Sequence, residues 1–199
     1  MLPYTSVILI LAAAALYGLV HSWLASLQAK ALARRALGPV AERFYRLAYN
    51  AFALISLLPV LALPLLLPDQ LLYSVPMPWT LVFLGIQSLA ALALLVAVLQ
   101  TGLASFLGLS QLFEAQPSSG GLVLNGLYRW VRHPIYTAGL VFLWFSPRMS
   151  LNQLALYAAF SAYFVIGAIF EERKLLREHG AAYRDYQQRT PMLIPGLKR

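Results

Sequence analysis

The chain has 199 residues, of which 60% are hydrophobic and only 11% charged, with no cysteine and a formal net charge of +8. Soluble domains carry about 25% charged residues, so this is the composition of a membrane protein, and the missing cysteine excludes disulfides and thiolate metal ligands. A basic excess can serve nucleic acid, but no stripe of Lys and Arg interleaves with aromatics here, so a nucleic-acid partner is not expected.

A spanning helix needs about 20 apolar residues. Residues 2–24 are the first such run; they hold His21 and no charge, and they lack the basic start and short apolar core of a cleavable signal peptide. Residues 47–67 are the second, with Pro59 and Pro64 bending the far half, which membrane helices tolerate. Residues 79–99 and 151–170 are two more. Between them, residues 134–145 are apolar over about half a span. They predict a short helix that makes a tight hairpin with 151–170, turned at "SPRMS".

The basic residues orient these segments. The gap "QAKALARRALGPVAERFYR" holds Lys30, Arg34, Arg35, Arg43 and Arg46, while "PDQLLYSVPMP" holds none. Arg129 and Arg132 precede the short helix, Arg148 lies in the hairpin turn, and the other seven follow Phe170. Five crossings place fourteen of the fifteen on one side, which is the cytoplasmic side by the positive-inside rule. The predicted fold is an all-α integral membrane bundle of five transmembrane helices, the fourth short and hairpinned with the fifth, with the N-terminus out and the C-terminus cytoplasmic. It reads as a single membrane domain over residues 1–199, with a three-helix part at 1–101 and a second part at 102–199. The lipid bilayer is the first partner implied, and a bacterial inner membrane the expected location. No internal repeat, βαβ pattern or G-x-G-x-x-G motif is present, which argues against a Rossmann-type site.

Polar groups inside apolar spans are costly, so their positions carry information. In this orientation His21, Ser22, Tyr45, Tyr49, Asn50, Gln100, His133, Glu171 and Glu172 all fall toward the cytoplasmic leaflet; Gln87 and Ser88 are the exceptions, near the middle of the third helix. Pro134 suits the first position of a helix, where its missing N–H costs nothing. The amides after it then favour a carboxylate or phosphate, with Arg129 and Arg132 adding charge-assisted bonds. His133 and Tyr136, three apart, share a face. Glu171 and Glu172 end the partner helix of the hairpin, so an anion-binding helix end and a carboxylate pair meet at one rim, which suits a zwitterion such as an amino acid. The ordinary alternative is a surface pair of Glu171 with Lys174. The loop "FLGLSQLFEAQPSSGGLVLNGLYRW" before the short helix is glycine-rich and flanked by aromatics, as a segment closing over a flat ligand would be.

"NGLYRWVRHPIY", a hairpin, and "EERKLLREHGAAYRDYQQRTPMLIP" together resemble the isoprenylcysteine carboxyl methyltransferase-like superfamily, integral membrane enzymes that use S-adenosylmethionine. The resemblance covers about residues 120–195. "GLVHSWLAS", "RFYRLAYNAFAL", "LGLSQ" and "RTPMLIP" are similar to the bacterial methanethiol S-methyltransferase and NnrU-like branch. It implies that Gly120, Gly121, Leu122, Val123 and Tyr128 lie along S-adenosylmethionine and that Arg132, His133, Pro134 and Tyr136 line its pocket. Glu171 would bind its amino group, with Glu172 in support. Two departures stand out: Ala138 takes a position where the family often has glycine, with Gly139 next, and Gly167 stands where prenylcysteine carboxyl methyltransferases carry an arginine. The acceptor implied is a small or lipophilic nucleophile, most simply a thiol, with Tyr49 and Asn50 lining its pocket and His21 as the base; His21 reads equally as a histidine hydrogen-bonded to a neighbouring helix. No metal is required. A prenylcysteine-type carboxyl methyltransferase, a non-catalytic NnrU-like membrane protein and an NADPH-dependent membrane reductase remain as alternatives.

Overall fold

The computed structural model describes residues 3–103, 107, 109 and 121–197. In chain order it contains α1 (Pro3–Ala25), α2 (Leu27–Leu37), α3 (Pro39–Leu66), β1 (Leu71–Ser74) and α4 (Trp79–Gln100). A short 3-10 turn (Gly126–Arg129), α5 (Pro134–Trp144), β2 (Arg148–Ser150) and α6 (Leu151–Arg189) follow. The protein is mostly helical, and among the described residues four helices are long and apolar enough to cross a membrane; α5 is apolar but shorter.

The four long helices and the half-length fifth fall where the apolar runs predicted them. The connections differ. The first gap, expected to be a link, is largely helical: Ser26 caps α2 by accepting from the Ala29 amide at 3.2 Å. Gly38, at φ +60°, ends α2, and Pro39 starts α3 at once. The helical membrane fold is as expected, with one small addition: β1 and β2 pair into a two-stranded sheet. The last helix does not stop at residue 170 but runs to Arg189, broken at Gly180, whose φ of +54° a residue with a Cβ rarely adopts.

Contacts divide the chain into two compact units. The first holds α1, α2, α3 and the start of α6. There Tyr17 donates its hydroxyl to the Ala53 carbonyl at 3.3 Å and Tyr45 donates to the Leu24 carbonyl at 2.6 Å, so α1 and α3 run antiparallel in a defined register. At the other end of α3, Asp69 accepts from the Asn152 amide at 3.0 Å, supplying an acceptor to the first turn of α6. The buried Asn152 side chain returns bonds to the Leu67 and Pro68 carbonyls.

The second unit holds α4, the 3-10 turn, α5 and the rest of α6. Here α4, grouped by the sequence reading with α1 and α3, packs against α5. Gln87 explains its place in an apolar helix: its amide donates to the Phe142 carbonyl at 2.8 Å and to Ser146 Oγ at 3.3 Å. Ser88 turns its hydroxyl back to the Leu84 carbonyl at 2.9 Å. The hairpin of α5 and α6 is held by Trp144 Nε1 donating to Ser161 Oγ at 2.9 Å and by the stacked rings of Tyr136 and Phe164. At Gly139 a Cβ would sit 3.0 Å from the Phe164 ring, so the close approach falls one residue past Ala138.

Candidate active site

Arg132, His133, Glu171 and Glu172 come together in the second unit, from the segment before α5 and the middle of α6. Glu172 is held by five donor groups. Arg132 meets it with Nε at 2.5 Å and Nη2 at 3.0 Å, a two-pronged pair whose side chains are only 10% and 13% exposed. Gln187 Nε2 donates at 2.8 Å, Tyr183 Oη at 3.3 Å, and His133 Nε2 approaches at 3.2 Å. A carboxylate so surrounded has no capacity left for a ligand; it organises its neighbours.

Glu171 differs. Its side chain is 47% exposed, and its carboxylate lies 3.6 Å from His133 Nδ1. The Tyr136 hydroxyl also reaches it. The buried His133 therefore sits between two carboxylates, one at each ring nitrogen. Burial alone would lower its pKa, but bonds to Glu171 and Glu172 outweigh burial and raise it above the ordinary histidine value. Tyr136 stacks on His133 with ring centroids 5.6 Å apart. Burial, and then the nearby Glu171 carboxylate, push the Tyr128 phenol well above its usual range.

The tail supplies the scaffold for this cluster. Arg132 Nη1 donates to the Gln187 and Thr190 carbonyls, and the amides of Arg132 and His133 bond to the carbonyls of Pro191 and Met192. Thr137 Oγ1 donates to the Leu193 carbonyl at 2.7 Å, and Tyr186 to the Tyr128 carbonyl at 2.5 Å. Two expectations change as a result. Pro134 does begin α5, but it is buried, and the tail pairs with the two residues before it. Arg132, expected to add to an anion site at this helix end, is engaged by Glu172 and by the tail. Tyr183 and Gln187, which the sequence reading gave no role, complete the shell of Glu172; their only signal was membership of the quoted tail motif.

In the same unit lies an open cleft of about 540 Å³ lined by Gln100, Gly121, Leu122, Val123, Asn125 and Arg129 among others. Gly121, Leu122 and Val123, read from the resemblance as lying along the cofactor, line this cleft, while Gly120 lies outside the described residues. Gln100 was read only as a polar helix end. It accepts from the Leu127 amide at 3.1 Å and fills the space where a Cβ on Gly126, at φ +60°, would stand. Gly126 is therefore required both by its backbone and by this neighbour.

In the first unit, His21 Nε2 lies 2.6 Å from the Tyr49 hydroxyl, and Tyr17 stacks on the His21 ring at 5.5 Å. Tyr49 and His21 are thus a pair across α1 and α3, as the reading of His21 as bonded to a neighbouring helix predicts. Asn50 follows Tyr49 in α3, half-buried. No cluster of three or more His, Asp or Glu suited to a metal occurs among the described residues.

The family profile described as "Protein of unknown function (DUF1295)" matches residues 9–190. The chain belongs to the DUF1295 family. Curated relatives of this DUF1295 chain include methanethiol S-methyltransferase 2 of Bradyrhizobium diazoefficiens, 44% identical over 71 residues, which is 36% of this chain and 27% of that protein. The methanethiol S-methyltransferase of Pseudomonas deceptionensis is 36% identical over 91 residues, 46% of this chain and 35% of the relative. That of Mycobacterium tuberculosis is 40% identical over 75 residues, 38% and 31% of the two chains. The matches thus span only about a quarter to a third of the curated relatives' length. These relatives agree with the resemblance to the isoprenylcysteine methyltransferase-like branch. No solved structure matches the chain at a significant level.

Proposed function

We propose that the protein is an integral membrane methyltransferase that moves a methyl group from S-adenosylmethionine to a lipophilic thiol, with five membrane crossings and its cofactor face toward the cytoplasm. The observation that carries this reading is the division of labour between the paired glutamates: Glu172 is saturated by five donor groups, while Glu171 keeps a half-exposed carboxylate beside the buried His133. A half-exposed carboxylate fits the ammonium group of an amino-acid moiety. The cleft at Gln100 and Gly121–Val123 offers amide and backbone partners for a nucleoside, and Arg129 a partner for a carboxylate. The curated relatives named for methanethiol S-methylation support the reaction class.

S-Adenosylmethionine would supply a methyl group on a positively charged sulfur. The rest is positioning, which can account for a large part of such an acceleration. The chain's part would be to hold a thiol in line with that methyl group. The thiol proton needs a base, and His21, directly or through Tyr49, is the group assigned to take it. Glu171 would hold the donor's ammonium, with His133 and Tyr136 keeping Glu171 in place.

Calorimetric titration of S-adenosylhomocysteine into the detergent-purified protein tests the reading. Micromolar binding is expected, weakened roughly ten- to a hundredfold in Glu171→Gln, the loss of one charge-assisted contact. A folded wild-type protein that binds no S-adenosylhomocysteine overturns it, and NADPH becomes the next ligand to titrate.

A further inference from the structure

The link between the first two long helices is itself a basic helix. α2 is joined to α1 by Ser26 alone and to α3 by Gly38 alone, and it packs on both. Its eleven residues make about 17 Å of helix, too short to cross a hydrocarbon core of about 30 Å. Where α1 and α3 cross a bilayer, α2 is therefore held at the boundary, unable to enter the core or to leave for water. Its two faces suit that place. At about 100° per residue, Leu32, Ala36, Ala29, Ala33 and Leu37 share one arc, while Lys30, Arg34 and Arg35 lie on the other with Leu27, Gln28 and Ala31. Ala29 is buried, so the middle of the apolar arc rests on the protein. Leu32 and Leu37, at the two edges of that arc, are more than half exposed, and the three cations are exposed as well.

Charge names the partner. α2 holds three cations and no acid, and Arg43 and Arg46 follow near the start of α3; Glu42 is the first acidic residue in the chain. Lys30, Arg34, Arg43 and Arg46 also have interactions within the protein. Attraction to an anionic surface acts through net charge and does not require a vacant donor. A soluble acidic partner would match the cations but leave Leu32 and Leu37 in water; acyl chains alone would cover the leucines and leave the charge unanswered. The headgroup layer of an anionic bilayer does both, since a basic amphipathic helix buries its apolar face at the boundary of headgroups and acyl chains while its basic face meets the phosphates. We propose that α2 is a docking surface for anionic phospholipid headgroups, with Leu32 and Leu37 set into the acyl boundary and Lys30, Arg34 and Arg35 on the phosphates, so that the protein selects phosphatidylglycerol over phosphatidylcholine. This surface is independent of the methyl transfer proposed above.

The test exposes the full chain, in detergent, to an equal mixture of phosphatidylglycerol and phosphatidylcholine with the same acyl chains, and then repurifies it. Mass spectrometry reads the phosphatidylglycerol-to-phosphatidylcholine ratio of the retained lipid. A ratio well above unity is expected at low salt, falling toward unity at high salt as the charges are screened. Lys30→Gln/Arg34→Gln/Arg35→Gln, which keeps helix propensity, should lower the ratio about fivefold or more, since even one Lys or Arg at such a surface is worth about fivefold. Arg173→Gln/Arg177→Gln/Arg184→Gln, which removes three exposed cations of α6, should leave it within about twofold. If the α2 triple variant does not fold, Arg35→Gln decides, with a fall of about two- to fivefold expected. A wild-type ratio of unity, a ratio indifferent to salt, or a folded α2 variant equal to wild type overturns the proposal. An equal loss from the α6 variant overturns it too, because the preference would then belong to the total charge and not to α2.

Discussion

His133 and His21 stand in two differently built surroundings. His133 is buried, has a carboxylate at each ring nitrogen, and belongs to a cluster in which Glu172 takes bonds from Arg132, Tyr183 and Gln187 as well. His21 meets the Tyr49 hydroxyl and the Tyr17 ring between two apolar helices. The first is a network in which each member is fixed by several others, which rigidifies its geometry and makes its parts costly to remove. The second is a small polar device in a mostly hydrocarbon setting, the kind of place where a proton can be exchanged without dismantling the fold. On the function proposed above, scaffold falls to His133 and the base to His21.

The sharpest way to break this comparison is Arg132→Ala. It leaves Glu172, 13% exposed, without its main countercharge, and removing one partner of a buried pair costs about 3–5 kcal/mol. For a chain of this size that corresponds to roughly a 6–20 °C fall in Tm. The measurement is thermal unfolding of the detergent-purified variant, and a fall below about 2 °C would mean the cluster is not structural.

A second, smaller effect follows from the raised pKa of His133. Its unfolded value is about 6.5 and its folded value lies higher. A group whose folded pKa is raised adds stability that is complete below the unfolded pKa and disappears as pH climbs through the folded one. Tm should therefore decline above about pH 6.5, and His133→Gln should remove that component of the decline. An identical pH profile for the two proteins would show that His133 is not charged by Glu171 and Glu172.

The parts of the molecule that could be read from the sequence are those governed by local rules. Four apolar runs of spanning length, Pro134 at a helix start, and the convergence of His133 with Glu171 and Glu172 follow from composition, proline geometry and the hairpin. What was missed depends on partners distant in sequence. β1 is four exposed residues whose partner strand begins only at Arg148. Arg132 read as a ligand-binding cation because its real acceptors, Glu172 and the carbonyls of Gln187 and Thr190, lie 40 to 58 residues on. α2 was passed over because its charges mark a gap between spans, although Ser26 and Gly38 are ordinary start and stop signals for a short amphipathic helix.

The smallest expected effect separates a ligand carboxylate from a surface one. If Glu171 were an ordinary helix-surface residue, Lys174, three positions on, would be its natural partner. Lys174 pairs with Glu178 at 3.7 Å, both side chains at least half exposed and in the weaker orientation with the lysine first, a contact worth about 0–0.5 kcal/mol, and its charge acts on Glu171 less than His133 and Tyr136 do. Glu171 faces His133 and Tyr136. Lys174→Ala should thus shift Tm by less than about 2 °C and leave S-adenosylhomocysteine affinity within about twofold, under half a kcal/mol. A tenfold loss in that titration would tie Glu171 to the solvent-facing charges of α6, and the contrast between a saturated Glu172 and a ligand-facing Glu171 would no longer distinguish scaffold from site.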